Sequence, residues 1–124
     1  YEFLSQLKNK IKYEGYLITY TSSAAVRKSL KNLGFNLFNI IPTLSYKNRW
    51  SNGTLATFDS QQNNPYITEL SAREIEHLNT KASIPYRDPT GQMLSKEILE
   101  QRKKEQQSSN LLDTNLWRKK WEMA

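Results

Sequence analysis

Apolar residues in the first sixty positions come in short bursts separated by turns. Phe3, Leu4, Leu7 and Ile11 fall at helical spacing, so residues 2–11 read as an amphipathic helix. Glu14-Gly15 makes a turn, and the β-branched and aromatic residues 16–20 (Tyr-Leu-Ile-Thr-Tyr) predict a strand. Thr21-Ser22-Ser23 supplies N-cap candidates for a helix that puts Val26, Leu30 and Leu33 on one face and Arg27, Lys28 and Lys31 elsewhere. Gly34 follows Leu33 directly, where a C-cap glycine belongs. Residues 35–41 predict a second strand, stopped by Pro42, and residues 53–58 a third.

The pattern changes near residue 60, after which the chain is polar and rich in Gln, Lys and Glu. Ser71-Ala72-Arg73-Glu74 matches a capping box and predicts a helix over 72–80. Residues 84–89 (Ile-Pro-Tyr-Arg-Asp-Pro) are extended, because each Pro disfavours helix in the residue before it. Leu94, Ile98 and Leu99 open a charged helix to about Gln107, Ser108-Ser109-Asn110 breaks it, and a short helix follows Thr114. The chain shows no internal repeat. Its expected organisation is an α/β unit over 1–60 and a helical, partly extended carboxyl-terminal extension over 61–124.

Two strands enclosing a helix of about ten residues suggest a parallel pair with a right-handed crossover. The link over 42–52 is too long for a tight hairpin but can return the third strand antiparallel. The expectation is an α/β edge and not a whole domain, because a parallel sheet needs helices on both faces.

Composition narrows the picture. The 124 residues suffice for one small domain, and 37% apolar content is low for a self-sufficient core. No apolar run is long enough to span a membrane. The chain starts without Met and without a signal-peptide pattern, so it is expected to begin inside something larger. The absence of cysteine removes disulfides and thiolate chemistry and favours a cytoplasmic setting. The net charge of +6 is one-sided: residues 1–50 hold eight Lys/Arg against two Asp/Glu, whereas residues 51–124 hold ten of each. A basic half attracts polyanions by counterion release, although lysines also serve simply to keep a surface soluble.

The four glycines, Gly15, Gly34, Gly53 and Gly91, are too far apart to form the glycine-rich turn of a nucleotide or S-adenosylmethionine site. His77 is the only histidine and reads as a solvated helix residue, not a metal ligand. Glu74 and Glu76, two apart on a helix, diverge. The best local candidate is Tyr20-Thr21-Ser22-Ser23, at a strand's carboxyl end where open α/β sheets bind ligands. Helix capping explains the same serines without a ligand. Tyr46-Lys47-Asn48-Arg49-Trp50 mixes cations with aromatics, which suits phosphate contact and base stacking as well as an ordinary polar loop. Trp117 and Trp121 share one helical face, a docking pattern toward the domain or a partner.

Two segments carry a family resemblance. The run from Gly15 to Phe35 has a strand, Ser/Thr, small residues, Val26-Arg27 and a helix ending in Gly34-Phe35. It resembles the late strand and following helix of the 5-aminomethyl-2-thiouridine tRNA methyltransferase family. Glu76-His77-Leu78, Ile84-Pro85-Tyr86-Arg87-Asp88-Pro89 and Trp117-Arg118-Lys119-Lys120-Trp121 resemble the extension of its cyanobacterial-type members. The resemblance implies the carboxyl-terminal part of a Rossmann-like class I methyltransferase sheet, with three strands and a helical polar tail. Residues 16–20 would be its fifth strand, and the last strand would insert antiparallel between its neighbours.

The implied reaction is methyl transfer from S-adenosylmethionine to the 5-aminomethyl group of a wobble uridine, giving 5-methylaminomethyl. The family's acidic residue and cofactor loop would lie upstream of Tyr1, so no catalytic or cofactor residue carries over. In this reading Thr21 and Ser22 border the substrate crevice and Lys47 and Arg49 meet tRNA phosphate. The loop holding them lacks the family's glycines and is longer. The chain alone is expected to be inactive, with a complementing chain or self-association through the sheet edge at 16–20 as partner. The rival readings are a small, non-catalytic, basic RNA-binding protein and an interaction protein that docks through the Trp117 helix.

Overall fold

The computed structural model describes residues 1–41, 53–60 and 64–122. Helix α1 (Glu2–Lys8) is followed by β1 (Leu17–Thr19), α2 (Ala24–Asn32), β2 (Asn36–Ile40), β3 (Thr54–Thr57) and β4 (Ile67–Glu69). Then come α3 (Ala72–His77), a 3-10 turn (Lys81–Ser83), α4 (Ser95–Ser108) and α5 (Thr114–Glu122). Helix α1 has an acid, Glu2, in its first turn and a base, Lys8, in its last, as the helix dipole favours. It stops short of residue 11 because the chain tightens: Lys10 N donates to Leu7 O and Ile11 N to Lys8 O, closing i→i+3 turns.

The sheet runs β1-β3-β2-β4, and each neighbouring pair is antiparallel. Strands β1 and β2 therefore point the same way, as the intervening helix requires, but they are not paired with each other: β3 lies between them, reversed. The two strands keep the parallel sense expected of a crossover, and the reversed β3 between them matches the inserted last strand that the resemblance implied. The fourth strand, β4, has no sequence signal, because three residues are too few for an alternation to register. It extends the sheet past residue 60, with Ile41 N donating to Tyr66 O just beyond the ladder.

Register explains where the core sits. Leu17, Ala56 and Leu37 oppose one another across β1, β3 and β2. Successive side chains of a strand alternate faces, so these three share one face of the sheet. Leu30 and Leu33 of α2, Phe35 and Ala56 form the buried cluster, with Leu4, Ile11, Leu17, Leu37 and Phe58 packed against it. The Phe35 and Phe58 rings stack at 4.2 Å. Two residues along on the same face, the opposed set is Thr19, Thr54 and Asn39. The face under α2 thus turns from apolar to polar toward the carboxyl ends of β1 and β2.

The later helices attach by different means. Helix α4 buries no residue and is held by polar contacts. Arg102 donates to Ile84 O at 2.8 Å and Ala82 O at 3.0 Å, and its guanidinium lies 4.3 Å over the Tyr86 ring. In α5, Trp117 is 4% exposed, stacks on His77 at 4.1 Å, and donates from Nε1 to Arg73 O at 3.1 Å. Trp121 Nε1 donates to Glu76 Oε2. The paired tryptophans therefore dock on α3 of their own chain, and His77, expected to be solvated, is half-buried under Trp117. Among the described residues no helix is long and apolar enough to cross a membrane.

Candidate functional site

The carboxyl ends of β1 and β2 and the start of β3 meet at one end of the sheet. Gly53 lies there, with φ +133. A Cβ on it would fall 2.2 Å from Thr19 O and 2.9 Å from Tyr20 Cα, so only glycine lets β3 start this close to the end of β1. Thr21 and Ser22 lie one residue past β1 and are half-buried, while the intervening Tyr20 is 95% exposed.

The hydroxyls are arranged differently from simple capping. Ser23 occupies the N-cap of α2, yet its side chain makes no capping bond. The Ser23 N–H instead donates to Thr21 Oγ1 at 3.0 Å, a local turn that leaves the Thr21 hydroxyl proton to donate elsewhere. The Thr21 carbonyl accepts from Thr54 Oγ1 at 2.8 Å. The segment is thus fixed at both its hydroxyl and its carbonyl.

Beneath it lies a buried polar cluster. Arg27, expected off the apolar face, is 1% exposed. Its Nε donates to Thr54 Oγ1 at 2.8 Å, Nη2 to Asn39 Oδ1 at 2.8 Å and to Gly53 O at 3.3 Å, and Nη1 to Glu74 Oε2 at 2.6 Å. Glu74 Oε1 accepts from Asn39 Nδ2 at 2.6 Å. The capping box is also formed: Ser71 N and Oγ donate to Glu74 Oε1, and Glu74 N donates to Ser71 Oγ. One carboxylate thereby caps its own helix and neutralises an arginine on another. Burial alone would raise the Glu74 pKa. The bonds from Arg27, Ser71 and Asn39 outweigh it and hold the carboxyl below its ordinary range.

Sequence reasoning missed Arg27, Asn39 and Thr54. A signal was present: Arg27 lies three before Leu30, so both fall on nearly the same side of α2. Glu76 diverges from Glu74 as expected and pairs with Lys120 at 2.9 Å. Lys47 and Arg49 lie outside the described residues, as does the rest of 42–52. The nearest described residues on either side, Ile41 and Gly53, stand at the same end of the sheet as Thr21 and Ser22.

The glycines do not provide a nucleotide cradle. Gly15 precedes β1, Gly34 joins α2 to β2, Gly53 precedes β3 and Gly91 precedes α4. None of these four glycines links a strand's end to a helix N-terminus. Among them no group of three His, Cys, Asp or Glu is placed to hold a metal.

Residues 1–55 match a family model described as S-adenosyl-L-methionine-dependent methyltransferase. The structure superposes on the crystal structure of MnmC2 from Aquifex aeolicus with a TM-score of 0.72 and 28% identity. That match covers 87% of this chain and 33% of the other, so the chain spans about a third of the length of that relative. No curated protein matches the sequence. The two matches support the tRNA methyltransferase family that the run from Gly15 to Phe35 resembles, and a methyltransferase-like fragment as the fold.

Proposed function

We propose that this chain is the distal part of an S-adenosylmethionine-dependent methyltransferase acting on tRNA, converting 5-aminomethyl to 5-methylaminomethyl at the wobble uridine. The observation that carries the reading is the reversed strand β3, inserted between β1 and β2, which places the start of β3 against the end of β1. The match to residues 1–55 and the superposition on MnmC2 support it.

In this reading Thr21 and Ser22 line the substrate crevice, with Tyr20 exposed beside them for base stacking. Lys47 and Arg49 meet phosphate. The cofactor is held by a complementing segment, and β1 is the edge that receives it, since β1 ends the sheet and Ile18 is 64% exposed. The setting is the cytoplasm, where tRNA is modified. By itself the chain transfers no methyl group.

Calorimetry of S-adenosylmethionine with the 124-residue chain, with circular dichroism on the same sample, tests this. No binding to a folded chain is the expected result. Stoichiometric binding would mean that the cofactor site lies within these residues and the assignment of parts is wrong. The second reading, a non-catalytic basic RNA-binding protein, rests on the charge excess of residues 1–50 and predicts RNA binding without preference for the modified base.

A further inference from the structure

We propose that Arg27, locked by Glu74, is a positioning residue for the rim of the crevice at the carboxyl end of β1. The inference rests on the reading of Thr21 and Ser22 as crevice residues. It adds an element that the reading did not use: a helix of the carboxyl-terminal extension that holds the rim from below.

The geometry is a relay. Glu74 on α3 binds Arg27 Nη1, and Arg27 Nε donates to Thr54 Oγ1. With that lone pair occupied, the Thr54 hydroxyl proton is directed to its acceptor, the Thr21 carbonyl, at 2.8 Å. A second arm of Arg27 reaches Asn39 and Gly53 O, which fixes the start of β3 against Thr19 and Tyr20. The Thr21 hydroxyl then holds Ser23 N–H. Every link is a directional hydrogen bond, and Arg27, Thr54, Asn39 and Glu74 are all at most 3% exposed. A lysine at 27 has three donors on a single nitrogen and could not match these four acceptors, which the guanidinium reaches from three separate nitrogens in a fixed planar fork.

An arginine needed only for stability would have ready replacements, since well-packed apolar residues often stabilise as much as a buried ion pair or more. The feature here is where its bonds end: on the backbone of the two segments that bound the crevice. Both contacts end on main-chain carbonyls, those of Thr21 and Gly53.

The test uses the 124-residue chain with Thr54→Val and Thr54→Ser, and Glu74→Gln as a second route. The carbonyl carbon shift of Thr21 and amide exchange at Ser23 are read by NMR. Affinity for tRNA bearing 5-aminomethyl-2-thiouridine is read by fluorescence anisotropy. Thr54→Val is expected to move the Thr21 carbonyl signal and speed Ser23 exchange at least tenfold, with exchange at Leu30 and Phe35 unchanged. Thr54→Ser is expected to restore both, and tRNA affinity to follow the same order. If Thr54→Val does not fold, Glu74→Gln must show the same local change. Uniform loosening of the whole chain, or an unchanged Ser23 amide in the folded variants, would overturn the proposal. If the local changes occur but the unaltered chain binds no tRNA, the positioning role stands and the functional reading fails. If tRNA binds and its affinity is indifferent to Thr54→Val, the positioning role fails and the functional reading stands.

Discussion

Arg27 and Glu74 are 47 positions apart in sequence and meet at 2.6 Å in the interior, with side chains 2% and 3% exposed. The contact joins the strand–helix segment to the polar extension. It ties the extension into the folded unit through a buried ion pair.

Removing one partner of such a pair strands the other charge in the interior. Glu74→Ala is expected to destabilise the chain by about 3–5 kcal/mol, read by urea denaturation. Because the folded carboxyl titrates below its ordinary 4.5, its contribution is complete above that value and is lost as pH falls through the folded one. Stability should therefore drop on the acid side below about pH 4.5, and Glu74→Gln should flatten that part of the profile.

The same reasoning separates two glycines. At Gly53, with φ +133, an added methyl group meets the Thr19 carbonyl. Gly91 has φ +73 and open space around it. Gly53→Ala should cost about 3 kcal/mol or more in thermal denaturation, and Gly91→Ala only about 1 kcal/mol.

Much of this was legible in the chain. Strands β1, β2 and β3 and all five helices fall within one to three residues of the pattern's limits, because each has a periodic apolar face or a recognisable cap. Strand β4 was not legible, being three residues long and set by pairing with β2. The buried cluster was missed for a different reason. A cation at a helix position reads as solvent-facing, and only the partner at Glu74, contributed by a distant helix, makes its burial favourable. Thr21 and Ser22 lie just past the end of β1, and the bond from Thr54 to the Thr21 carbonyl is one that sequence alone could not bring to them.

Helix α5 rests on Trp117. Trp117→Ala is expected to destabilise by about 3–5 kcal/mol, and the half-buried Trp121 by clearly less, measured by intrinsic fluorescence during denaturation. The stack also governs His77. Burial, with the charges of Arg27 and Arg73, lowers its pKa below the ordinary 6.5 against the pull of Glu74. Protonation therefore favours the unfolded chain, and stability should begin to fall as pH drops below about 6.5. His77→Gln should remove that first step.

Lys47 and Arg49, which fall between β2 and β3 in the sequence, are proposed to meet phosphate. Replacing both Lys47 and Arg49 by Ala should reduce the slope of log affinity for tRNA against log salt by about 1.4, at roughly 0.7 per contact. An unchanged slope would remove them from the interface.

Whether these residues border a crevice for a modified uridine is decided by a comparison of two tRNAs. Anisotropy would measure the affinity of the 124-residue chain for one tRNA carrying 5-aminomethyl-2-thiouridine at the wobble position and for the same tRNA carrying the 5-methylaminomethyl product. A crevice shaped for the substrate should favour the first by about tenfold, the discrimination one methyl group commonly gives. Equal affinities would rule out a substrate crevice and leave a basic RNA-binding protein. No binding at low salt would exclude both readings and point to the interaction protein.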